Sequence, residues 1–211
     1  MRYETSSHQG FLKMPTTTVH QLLDNKLIIF LRSWGSQDYD QKFIDEVMHF
    51  LSTVQADIEV TSPFDYVENL TSLANKVRIS VLLAHDYFYK VENKTSYAVG
   101  FEAAILMRSK NEIAWSAVGR FDLFKISSHG VQMLSAAGTD RDSQTLLPVD
   151  LIGVERDIEV RGGSLSFTEN PLIVSSMYQN SLVFKKDGVD SWSTELMNDD
   201  GTYWFSKIKS E

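Results

Sequence analysis

Residues Tyr97 to Ser135, YAVGFEAAILMRSKNEIAWSAVGRFDLFKISSHGVQMLS, decide the fold. Four short β-type runs follow one another there: Val99–Arg108, Glu112–Gly119, Phe121–Ile126 and Val131–Leu134. Their connectors, Ser109-Lys110-Asn111, Gly119-Arg120 and Ser127-Ser128-His129-Gly130, are far too short for crossover helices. Strands joined in this way pair antiparallel, so a meander is expected. Trp115, Phe121 and Phe124 supply one apolar face, while Arg108, Lys110, Glu112, Asp122 and Lys125 mark edges and solvent. Such a face needs a second layer, which the rest of the chain has to supply.

Upstream, Tyr3–Ser7 reads as an edge strand and Met14 to Thr18 as extended backbone, since the residue before Pro15 avoids the α region and the threonines are β-branched. Lys26-Leu27-Ile28-Ile29-Phe30-Leu31 is a nearly continuous apolar run, the mark of a buried central strand, and it ends in Arg32-Ser33-Trp34-Gly35-Ser36. From Asp38 the period turns helical, with Phe43, Val47, Phe50, Leu51 and Val54 in phase and Asp38, Asp40, Asp45 and Glu46 toward the start. A second helix is expected after Ser62-Pro63, running to about Tyr89 or Lys90, with Ser62 as its N-cap.

Downstream come Leu146–Gly153, an extended acidic piece over Val154–Val160, a Gly162-Gly163 turn into Ser164–Phe167, then strands at Leu172–Ser175 and Thr202–Lys209. Val183–Leu196 fits no single pattern. Two helices set among antiparallel strands argue for an α+β fold, and one domain spanning residues 1–211 is expected.

A net charge of −8 with scattered Lys and Arg argues against nucleic acid and anionic membrane surfaces. No apolar run approaches the roughly 20 residues of a bilayer span, and the first residues do not form a signal-peptide core. Zero cysteines remove disulfides, thiol nucleophiles and Cys-metal sites together, and a cytoplasmic location is expected. The five histidines lack ligand spacing; His49 and His85 read as surface or satisfied helix residues.

Taken in order, the pieces resemble the metal-dependent (type 2C) serine/threonine protein phosphatases. Phe30-Leu31-Arg32-Ser33-Trp34-Gly35-Ser36 stands in the place of that family's Val-Ala-Asp-Gly-Met-Gly-Gly. Gly100-Phe101-Glu102-Ala103-Ala104 resembles Gly-Thr-Thr-Ala, Val118-Gly119-Arg120-Phe121-Asp122 resembles Val-Gly-Asp-Ser-Arg, and Leu151-Ile152-Gly153 resembles Ala-Leu-Gly. Leu172-Ile173-Val174-Ser175-Ser176-Met177 matches Leu-Leu-Ala-Ser-Asp-Gly in place, and Asp199-Asp200-Gly201-Thr202 resembles Asp-Asn-Ile-Thr. The resemblance implies a four-layer αββα sandwich, two central antiparallel sheets flanked by helices. It also implies a pair of Mg²⁺ or Mn²⁺ ions held by carboxylates and water, with a metal-bound hydroxide attacking the phosphate ester.

The departures from that pattern fall on the metal ligands. Lys13 replaces the phosphate-holding Arg, the first acidic ligand falls near Thr18, the Asp-Gly pair becomes Arg32-Ser33, and a further Asp becomes Ser176. Asp199 is the one ligand-like position retained. A guanidinium in place of a bridging carboxylate repels cations, so the expectation is a pseudophosphatase without a cofactor, acting as a regulatory or binding protein on a protein partner, including a phosphorylated one. Lys13, Arg32 and Arg120 are its candidate anion contacts, Trp34 its candidate partner contact, and Arg32 a candidate ion-pair partner for Asp199. The alternative is an active phosphatase that binds Mn²⁺ or Mg²⁺ through Asp199 and Asp200 with Asp140 or Asp142. A second alternative follows from Thr16-Thr17-Thr18-Val19, which resembles the mature start of proteasome-like N-terminal-nucleophile hydrolases. Met14-Pro15 is a poor processing site for it, and Arg32 and Met48 stand where its Asp and Lys belong. The sequence leaves the oligomeric state open.

Overall fold

The computed structural model describes residues 1–10, 13–56, 62–137, 150–166, 171–178, 182–187, 192–196 and 201–209. The fold is α+β, with two five-stranded antiparallel sheets, a separate hairpin and two α-helices among these residues. The chain forms two compact units. One holds Thr16–Gly119 and Asp150–Phe167; the other holds Met1–Pro15, Arg120–Val149 and Thr168–Glu211.

The first of these units carries the helices. Its sheet runs in the order β2 (Thr17–Leu22), β3 (Leu27–Gly35), β4 (Val99–Arg108), β5 (Glu112–Val118) and β8 (Arg161–Ser166). Alternate residues of β3, Leu27, Ile29 and Leu31, share one core with Phe43, Val47 and Leu51 of α1 (Asp40–Ala56) and Val77, Val81 and Ala84 of α2 (Ser72–Tyr87). Each fully buried side chain of this kind contributes about 1.5–3 kcal/mol, so the helical period read from Phe43 onward is the period that attaches α1 to the sheet.

The second helix starts later than the sequence implies. Its N-cap is Thr71, whose hydroxyl accepts the Ala74 N–H, whereas the Ser62 hydroxyl accepts the Phe64 N–H and caps only a local turn. The cause is Asn75, buried in the first turn of α2. Its amide accepts from Val67 N–H and donates to the carbonyls of Val67, Leu70 and Thr71, tying residues 67–71 down as a loop over the helix start.

The expected meander is split. β4 pairs with β5 and β6 (Asp122–Ser127) pairs with β7 (Gly130–Ser135), but β5 and β6 belong to different sheets. The outer edge of β5 is taken by β8, which closes it to β6. Gly119 makes the departure at φ +78°, and its carbonyl accepts from Arg161 Nη2. Gly162-Gly163 is likewise not a turn: both glycines lie inside β8, opposite Ser116 and Trp115. A Cβ on Gly163 would sit 2.8 Å from Trp115 Cζ2, so the indole occupies the space that glycine leaves.

In the other unit the sheet order is β1 (Arg2–His8), β12 (Thr202–Lys209), β9 (Leu172–Tyr178), β6 and β7. Thr202, Trp204, Ser206 and Ile208 are buried and the residues between them half-buried, the alternation expected of β12. The stretch left unassigned by its pattern is a hairpin, β10 (Leu182–Lys186) and β11 (Trp192–Leu196). Leu182 and Phe184 lie on Phe124, Ile126 and Ile173, with the Phe124 and Phe184 rings 5.0 Å apart. This hairpin covers a sheet face that the family resemblance assigns to helices. Of Leu146–Gly153, the last four residues are described and contribute a single bridge, Ile152 to Phe101.

Candidate functional site

β3 does not stop at Leu31. It continues to Gly35, because its register with β4 pairs Leu27 through Gly35 with Met107 through Val99. Arg32, Ser33 and Trp34 are therefore strand residues, 3%, 4% and 7% exposed, and not part of an open rim. The two-residue period then separates them: Arg32 and Trp34 point away from the face formed by Leu27, Ile29 and Leu31.

The register places Thr17 and Glu102 on either side of Arg32. Arg32 Nη1 donates to Glu102 Oε2 at 3.2 Å and Nη2 to Thr17 Oγ1 at 3.0 Å, while Trp34 Nε1 donates to the same Glu102 oxygen at 2.8 Å. Glu102 is fully buried. Two charges taken out of water this far are tolerated only because they face each other and carry further hydrogen bonds. Among the described residues, a carboxylate that pairs with Arg32 is Glu102. Asp199, Asp200, Asp140 and Asp142 lie outside the described residues.

Glu102 and Thr17 are absent from the sequence-derived site. The signal for Glu102 was available: it is the one charge in the apolar run Val99–Met107, and a lone charge in a buried strand requires a counter-charge. Its partner lies seventy positions away, which no local pattern reveals.

On the helix side of β3, Ser33 Oγ donates to Asp40 Oδ1 at the start of α1. Thr18 Oγ1 donates to the Leu31 carbonyl at 3.3 Å, leaving its oxygen to accept from His20 Nε2 at 2.9 Å. Burial pushes the His20 pKa down and the Asp40 charge opposes the shift. Ser176 is buried on β9 opposite Trp204. Lys13 is exposed; Arg120 is 6% exposed with its guanidinium 5.3 Å from the centre of the Tyr178 ring.

Divalent cations need several converging oxygen donors. Among the described residues no three His, Asp or Glu side chains converge, and the Arg32 guanidinium already holds Glu102. The described residues do not fit a dinuclear cation centre.

Leu151-Ile152-Gly153 is fixed from the helix side. His85 Nδ1 accepts the Gly153 N–H at 3.1 Å, so that nitrogen carries no proton, and Nε2 lies 3.4 Å from the Arg156 carbonyl. Burial is the main cause that pushes the His85 pKa below 6.5, against weaker upward pulls from the Arg156 carbonyl, Asp86 and Asp157. A histidine lowered on folding stabilises fully above its unfolded pKa of 6.5 and loses that contribution as pH falls toward the folded value. Urea midpoints should therefore drop below pH 6.5. His85→Asn, which keeps an acceptor but does not titrate, should reduce the slope without abolishing it, because His20 shifts the same way. Superimposable pH profiles for the two proteins would refute this role of His85.

No protein-family model matches the sequence, and no curated protein matches it. Solved structures do match. The serine/threonine phosphatase Stp1 from Staphylococcus aureus superimposes with a TM-score of 0.58 at 11% identity, over 99% of this chain and 94% of that one. A bacterial serine phosphatase gives 0.57 at 12%, over 100% and 99%. PppA, a key regulatory component of T6SS in Pseudomonas aeruginosa, gives 0.56 at 11%, over 83% and 76%. At such identities the likeness is one of fold, and it is the fold implied by the first of the two sequence resemblances.

Proposed function

We propose that this chain, folded as serine/threonine phosphatases are, is a pseudophosphatase: a regulatory or binding protein that engages a protein partner without hydrolysing phosphate esters. The observation that carries this reading is the buried Arg32–Glu102 pair, to which Trp34 and Thr17 add hydrogen bonds. In the sequence resemblance Arg32 takes the place of a metal-bridging carboxylate. A fixed guanidinium there supplies positive charge from the chain itself and opposes cation entry. Of the three candidate anion contacts, Lys13 is exposed to a phosphorylated or acidic partner, whereas Arg32 and Arg120 are buried.

Hydrolysis of p-nitrophenyl phosphate across millimolar Mn²⁺ and Mg²⁺, with a melting curve at each concentration, tests the proposal. The expected result is no metal-dependent turnover and a flat melting temperature. A ligand present at about 100 times its dissociation constant would stabilise by roughly 2.7 kcal/mol, which a melting curve resolves. Metal-dependent turnover together with a rising melting temperature would replace the proposal with the active alternative, using Mn²⁺ or Mg²⁺ on Asp199, Asp200 and Asp140 or Asp142.

A further inference from the structure

Beyond Tyr87 the winding of α2 widens. The Asn93 N–H donates to the Phe88 carbonyl, five residues back, at 2.8 Å, and Phe88–Glu92 forms a π turn. Such turns are rare and occur frequently at functional sites. In an α-helix, side chains three or four residues apart are neighbours. The wider winding instead brings Glu92 within reach of Tyr87, five positions earlier, and the Tyr87 hydroxyl donates to Glu92 Oε1 at 2.7 Å. Lys42 of α1 donates to the same oxygen at 2.7 Å. Its Nζ also lies 5.8 Å from the ring centres of both Tyr39, just ahead of α1, and Tyr87. Both rings stand edge-on to the buried Phe88, at 74° and 88°, and both pack on the helical core. The walls of this cation site are therefore fixed by packing. Its filling is not: the Lys42 side chain is 44% exposed on a flexible four-carbon stem, while Glu92 is 14% exposed. Hydrogen bonds from Lys42 and then Tyr87 hold the Glu92 pKa below its usual value, so the carboxylate stays charged.

We propose that Tyr39, Tyr87 and Glu92 form a binding site for the primary ammonium group of a lysine side chain on a protein partner, and that Lys42 fills this site until the partner's lysine displaces it. Two tyrosine faces attract any small cation, whereas a carboxylate oxygen at hydrogen-bond distance selects a cation that carries N–H donors. A quaternary ammonium has none, and a primary ammonium is the chemistry that Lys42 itself presents. An exposed ion pair of this kind is weak and costs side-chain freedom, so it yields to a partner that brings further contacts. The net charge of −8 draws lysine-bearing partners toward the chain. The site uses none of Arg32, Glu102 and Trp34, so it stands independently of the pseudophosphatase reading.

The test uses the full chain and n-butylammonium, which carries the lysine headgroup, with binding followed by saturation-transfer NMR. Lys42→Met vacates the site and keeps an apolar stem. A site that Lys42 fills about nine-tenths of the time has its apparent affinity lowered about tenfold, so the variant should bind n-butylammonium about tenfold tighter than the unaltered chain. Adding Glu92→Gln should remove most of that binding, with melting curves showing that both variants remain folded. Tetramethylammonium and 1-butanol, which lack the N–H donors or the charge, should bind markedly more weakly. A capped Gly-Lys-Gly peptide should match n-butylammonium. The proposal is overturned if Lys42→Met shows no saturable binding, binds no tighter than the unaltered chain, is indifferent to Glu92→Gln or takes 1-butanol equally well. Binding of n-butylammonium with exclusion of the peptide would assign the site to a free amine and overturn the protein partner.

Discussion

Glu102→Ala is expected to destabilise the protein by about 3–5 kcal/mol, since it breaks a buried ion pair by removing one partner. Arg32 is 3% exposed and cannot reach water without distorting β3, and Trp34 Nε1 loses its acceptor in the same substitution. The loss far exceeds the roughly 1 kcal/mol of an average substitution. The double variant Arg32→Met, Glu102→Leu should recover most of it, because two apolar side chains of similar size need no counter-charge. Urea denaturation of the two single variants and the double closes the cycle, and the m-values show whether the folded state is otherwise unchanged. Additive losses, or a loss below about 1 kcal/mol for Glu102→Ala, would mean that the pair does not hold this part of the sheet.

Gly35→Ala is the second large effect. Gly35 ends β3 at φ +127°, where L side chains are strained. A Cβ there would meet the Ala98 carbonyl oxygen at 2.4 Å and Val99 Cα at 2.9 Å, backbone atoms where the chain enters the partner strand β4. The substitution must push β3 and β4 apart next to Trp34, and a loss of about 3 kcal/mol or more follows from backbone strain and clash together. Gly130→Ala is the control: its φ is +152° but no atom lies within 4 Å of the added Cβ, so only the strain of about 1–3 kcal/mol remains. Equal urea midpoints for the two variants would show that the contact with β4 contributes nothing.

The α1 phase was legible because Phe43, Val47, Phe50 and Leu51 bury one stripe against one sheet, and a stripe is a local property. The buried run Leu27–Leu31 and the alternation of Thr202–Lys209 were legible for the same reason. The start of α2 was not. Ser62-Pro63 is a valid start by local rules, and what overrides it is Asn75 holding residues 67–71 out of the helix. Gly162-Gly163 carried the composition of a turn, although glycine there makes room for Trp115, a residue almost fifty positions earlier.

Sequence by itself determined the α+β class, the antiparallel strands and the order of elements, since each depends on residue type and short-range period. Tertiary structure decided which sheet each strand joins. A connector such as Gly119-Arg120 is equally compatible with a hairpin and with a chain leaving its sheet, and only the occupation of the β5 edge by β8 settles it. It also decided that Arg32 is a buried strand residue bound to Glu102. A charge pair seventy residues apart exists only once β3 and β4 are in register, and hydrogen bonding along that ladder fixes the register.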